Sequence, residues 1–163
     1  MADLTVTITE SVTLNGAARG STNTLTVSGV DDIYHRIITC PDDVPVSLVT
    51  FKSTTGVDAS EQLMDMENVK YIRITNLDSA NPVILNLLVD TNENDSAADK
   101  SASIQLEAKK SFIFGSTVDS IDVDDDAATA ITALSGLVDL RSIQCDPISE
   151  AVRVEIFVAS VVA

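Results

Sequence analysis

Residues 70–89 read KYIRITNLDSANPVILNLLV, two runs of alternating side chains on either side of a cluster of turn formers. In the first run Tyr71, Arg73 and Thr75 face one way while Ile72 and Ile74 face the other. In the second, Val83, Leu85 and Leu87 share a face. A period of two is the signature of a half-buried strand, because successive side chains leave a strand on opposite sides. LDSANP supplies the turn chemistry between the runs. Pro82 suits the first position of a returning strand, where its missing N–H costs least. The stretch therefore predicts an antiparallel hairpin across the middle of a sheet.

The same alternation extends through most of the chain. DLTVTITESVTL (3–14) predicts one half-buried strand, with Leu4, Val6 and Ile8 opposed to Thr5, Thr7 and Thr9. Asn15-Gly16 is a turn signal, set in a segment with too many residues for a tight hairpin. Further strands are predicted over 24–28, 33–39, 46–52, 137–144 and 151–161. Segments 103–106 and 111–114 should form a second hairpin around EAKK, and 117–126 a strand ending in an acidic cluster. Ser60 could cap one helical turn as far as Met64, and AATAITALSG (127–136) is the candidate for a short helix. About ten short strands, frequent turn signals and at most one short helix point to a sandwich, jelly roll or barrel rather than a parallel α/β fold. The expected fold is all-β, an antiparallel β-sandwich of jelly-roll type, with residues 1–163 as a single domain.

The composition suits that fold. Of 163 residues 45% are hydrophobic, with no Trp, two Tyr and four Phe, so Val, Ile, Leu and Ala must build the core. The net charge of −15, from 25 acids against 10 Lys and Arg, would repel a polyanion or an anionic bilayer. Neither a nucleic-acid nor a membrane partner is expected. MADLTVTITE lacks a basic, apolar leader pattern, and no apolar run approaches the ~20 residues of a membrane span. Synthesis in a cytoplasm follows as the expectation. Cys40 and Cys145 form no CxxC pattern and are expected to be two small buried hydrophobes rather than a disulfide.

Catalytic chemistry finds little to work with. The single histidine, His35, lies inside the strand IYHRIIT, and no GxSxG, GxGxxG or GxxxxGK[ST] motif occurs. One His and two distant Cys do not make a standard zinc site. Two oxygen-rich loops could in principle take calcium: Asp90, Asn92, Glu93, Asn94 and Asp95, and Asp119, Asp122, Asp124, Asp125 and Asp126. Neither is an EF-hand. Counted from Asp122, Ala127 and Ala133 stand where glycine and glutamate belong, and counted from Asp90, Asp95 and Ser101 do. Solvated acidic loops without metal are the expectation. No Trp is present to stack a sugar, and no basic groove with aromatic platforms is present to hold a single strand. No catalytic residue and no cofactor are expected.

The segments VTITESVTLNG, GVDDIYHRIITCP, VKYIRITNLDSANPVILNL, LEAKKSFIFG and VRVEIFVAS, in that order, resemble a group of small virion structural proteins of tailed bacteriophages, notably phages of marine bacteria. The resemblance covers most of the chain. It implies a β-rich, non-enzymatic subunit present in many copies on the particle, as head decoration (cement) or as a related accessory protein. The implied location is the capsid surface, after synthesis in the host cytoplasm. The implied partners are the major capsid protein lattice and further copies of the chain, with a trimer favoured by three-fold sites. A tail or neck accessory role is one alternative, and a calcium-dependent receptor- or glycan-binding module another. Phe157, Val161 and Val162, at the apolar terminus, are the candidate contacts with another subunit.

Overall fold

The computed structural model describes residues 1–52, 64–65, 68–89, 100–115 and 140–161. Its strands are β1 (Ala2–Thr9), β2 (Thr13–Leu14), β3 (Ala17–Ala18), β4 (Thr22–Val30), β5 (Asp32–Cys40), β6 (Val46–Lys52) and β7 (Met64–Asp65). Then follow β8 (Val69–Asn76), β9 (Val83–Val89), β10 (Lys100–Leu106), β11 (Ser111–Gly115), β12 (Leu140–Pro147) and β13 (Val152–Ser160). The candidate helix at 127–136, the strand at 117–126 and both acidic loops lie outside the described residues. So does the helical turn begun at Ser60, except that Met64 belongs to a strand.

The fold is all-β, and its body is a sandwich. One sheet runs β10-β9-β12-β6-β7 and the other β11-β8-β13-β5. Every pairing in them is antiparallel except β6 with β7. Alternation puts Ile72, Ile74, Val154, Ile156 and Val158 on the inner face of the four-stranded sheet. Val83, Leu85, Leu87, Leu140 and Ile143 meet them from the other sheet in one core. Each such side chain, nearly or fully removed from water, contributes about 1.5–3 kcal/mol before entropy is subtracted.

The pairing is nested. β5 pairs with β13, β6 with β12, β8 with β11 and β9 with β10, so the first strand of the body meets the last and the order closes inward. This overturns both expected hairpins. β8 and β9 lie in different sheets, so 77–82 is a corner of the sandwich, and 107–110 between β10 and β11 is another. A two-residue period assigns each side chain to a face but does not choose the neighbouring strand.

The registers also give the molecule two unlike ends. Short crossings at 41–45, 77–82, 107–110 and 148–151 gather at one. Lys52, Val89, Lys100, Gly115 and Leu140, which flank the longer connections, lie at the other.

Residues 1–30 form an arm in which β1 pairs with β4. The expected strand over 3–14 is broken after Thr9, and β2 and β3 close the tip across Asn15 and Gly16. This is a tight two-residue turn after all. Asn15 at φ 53° and Gly16 at φ 77° both adopt the left-handed conformation that such a turn needs. Cross-strand register separates the two faces of the arm: Leu4 opposite Val27 and Val6 opposite Leu25 on one, and Thr5–Thr26, Thr7–Thr24 and Thr9–Thr22 on the other. The apolar face at the base packs on Tyr71, Phe157, Ala159 and Val161 in a second, smaller core.

Candidate functional site: the outer face of the four-stranded sheet

The outward side chains of β5, β13, β8 and β11 fall into rows across the sheet. His35, Phe157, Arg73 and Ile113 make one, and Ile37, Glu155, Thr75 and Ser111 the next. A polar chain links the two rows. His35 Nε2 pairs with Glu155 Oε1 at 2.9 Å, and Arg73 Nη1 donates to Glu155 Oε2 and to Thr75 Oγ1, both at 2.8 Å. The Thr75 and Ser111 hydroxyls bond each other at 2.8 Å. The hydrogen bond from His35, then those from Arg73, hold the Glu155 carboxyl below its ordinary range.

That geometry fixes side chains in place and does not prime a nucleophile. Ser111 lies three strand spacings from His35, roughly 14 Å, so the histidine is no base for it. His35 instead sits at the surface, paired across strands with Glu155.

Aromatic packing organises the adjoining row. The Phe157 ring lies 5.7 Å from that of His35 and 6.0 Å, edge-on, from that of Tyr71. Burial pushes the Tyr71 phenol up. Tyr71 crosses over Gly115, where an added Cβ would sit 2.7 Å from Tyr71 Cδ2 and 3.3 Å from Leu25 Cδ2 of the arm. Only glycine lets ring and arm approach this closely.

Beyond its base the arm stands off the sheet and leaves a cleft of about 400 Å³ along β1. Leu4, Val6 and Ile8 form one wall, and Tyr71, Arg73, Ile113 and Phe157 the other. A second cleft of about 230 Å³ lies beside it, between Ile8, Leu25 and Gly115. Ile113, Ile33 and Ile37 remain exposed on the same sheet face.

Of the terminal residues singled out in the sequence, Phe157 and Val161 pack against their own arm. The Val161 N–H also donates to Asn68 O at 2.8 Å. Val162 lies outside the described residues. Cys40 and Cys145 are both buried and free, as expected, and they face each other in the core from opposite sheets. The hydrogen bond to Cys40, then burial, pushes the Cys145 thiol well up. Among the described residues no group of three or more His, Cys, Asp or Glu could hold a metal ion.

The arm, its cleft and the roles of Tyr71, Arg73 and Ile113 were missed in the sequence. The available signal was the strict alternation of TVTIT and TNTLT, neither of which contains a charged residue. No protein-family model, curated protein or solved structure matches the chain.

Proposed function

We propose that the chain is a non-enzymatic structural subunit of a tailed-phage virion, of the kind that decorates and cements the head. The observation that carries this reading is the nested order of the body strands, β5 with β13 inward to β9 with β10. We read it as a jelly roll, an arrangement that recurs in viral capsid domains. Fold alone does not assign function, so the reading leans equally on the resemblance carried by residues 69–87 and the other quoted segments.

A cement subunit binds the assembled lattice and not its free parts, so mass action stabilises that lattice. Contacts to neighbouring capsomers add avidity, because each second contact forms at high effective concentration. Copies carrying −15 each repel one another until salt screens them, over a Debye length of about 8 Å at 0.15 M. The test is a melting curve of heads lacking the protein, with and without its addition, across salt concentration and with EDTA. Added protein should raise the rupture temperature, most at high salt, and chelator should leave the gain intact. Superimposable curves would reject the cement role, and loss of binding in EDTA would reject the metal-free one.

A further inference from the structure

The arm carries more exposed apolar surface than its own chain covers. Residues 7–24 are exposed throughout, including Ile8, Val12 and Leu14 at 48%, 53% and 58%. A two-stranded ribbon on its own is marginal in water and gains stability by laying an apolar face on something. The arm base does so on Tyr71, Phe157 and Ala159, and the tip does not.

At the foot of the arm lies the complementary feature, the cleft of about 400 Å³ between Leu4, Val6 and Ile8 and the sheet residues Tyr71, Ile113 and Phe157. None of residues 10–21 lines that cleft, so the tip does not fill it within its own chain.

We propose that the arm tip of one copy, through Val12 and Leu14, seats in the cleft at the foot of the arm of a second copy. The contact supplies a surface for the homo-oligomer that the resemblance implies, and rests on the proposed function only for closure into a ring.

Charge favours a second copy as the occupant. Residues 1–30 hold Asp3, Glu10 and Arg19 as their only charged side chains, in a chain whose net charge is −15. The arm is therefore the part of the molecule that can approach another copy with least repulsion. Glu10 and Arg19, which flank the arm tip, offset each other, and Arg73, the charged residue among the described cleft lining, is already paired with Glu155, so neither surface presents an unbalanced charge to the other. The arm edges also lack the usual devices against pairing: β1 beyond Asp3 and all of β4 contain no Lys, Pro or other charge. Tip and cleft are different patches of one chain, so the contact is head-to-tail and closes into a ring where the rotation allows.

The experiment measures the mass of the full chain in solution over a range of micromolar concentrations. It compares wild type with a tip variant (Val12→Asp with Leu14→Asp) and a cleft variant (Ile113→Asp), each shown to be folded by circular dichroism. If Ile113→Asp proves unfolded, Ile8→Asp on the opposite cleft wall replaces it. Wild type should associate, and each variant alone should associate at least about tenfold more weakly. An equimolar mixture of the two variants should recover a heterodimer, because one retains an intact cleft and the other an intact tip. A monomeric wild type, a tip variant that associates like wild type, or a mixture that stays monomeric would overturn the inference. A wild type that is monomeric yet still binds heads would overturn it while leaving the cement role standing.

Discussion

The side-chain amide of Asn76 donates to the carbonyl of Leu106 at 3.2 Å, from a position with no exposure to solvent. The same amide donates to Asn81 O at 2.9 Å, and its oxygen accepts from the Asp78 N–H at 2.9 Å. The Asn76 backbone N–H donates to Lys110 O at 3.0 Å, and its carbonyl accepts from the Lys109 N–H at 3.1 Å. One residue thus ties the corner at 77–82 to the corner at 107–110, where the chain crosses between sheets.

Replacing Asn76 with alanine leaves the Leu106 and Asn81 carbonyls and the Asp78 N–H without these partners. The expected loss is about 3 kcal/mol of unfolding free energy, read from urea denaturation. Asp78→Ala should cost less, because Asp78 caps the N–H groups of Ala80 and Asn81 in the turn and leaves the Asn76 clasp in place. Equal losses in the two variants would show that the clasp is not what holds the corners.

Acid should weaken the outer face through Glu155. Its folded-state pKa lies below the unfolded value, so its contribution is present above roughly pH 4.3. It fades as pH falls through the lower, folded value. Glu155→Gln should therefore be less stable than wild type at neutral pH, and the gap should close in acid. A gap that stayed constant from neutral to strongly acid pH would contradict the pairing with His35 and Arg73.

Gly115→Ala places a methyl group within 2.7 Å of Tyr71 Cδ2 and 3.3 Å of Leu25 Cδ2. The ring must shift and the arm must lift, at an expected cost of about 1–3 kcal/mol. Faster proteolytic cleavage within residues 1–30 should accompany a lowered melting temperature. Unchanged values for both would mean that Tyr71 does not anchor the arm.

Cys40 and Cys145 are fully shielded, and Cys145 is held protonated, so neither should react with a thiol reagent in the native state. Both should react once denaturant unfolds the chain. Rapid native labelling of either would contradict the close packing between the sheets.

Which face of each strand points inward was legible from residues alone. Ile72 and Ile74, Val83 to Leu87, and Val152 to Val158 all alternate as a period of two requires. Strand partners were not legible, because corners of four to six residues look like hairpin loops in sequence. One residue did signal the corner. Asn76 continues the inward register of Ile72 and Ile74, and a polar side chain placed inward just before a turn must find buried partners there. Phe157 and Val161, read from the sequence as candidate contacts with another subunit, have the arm of their own chain as their neighbour. The cleft depends on how far the arm stands off the sheet, which no local pattern encodes.

The most direct measurement is the stoichiometry of binding to separated virion parts. Purified chain is mixed with heads and with tails from particles lacking it, then pelleted and counted. Saturable binding to heads, at a copy number fixed by the capsid symmetry and with none on tails, is the expected result. Binding to tails alone, or to neither, would contradict the head-decoration role.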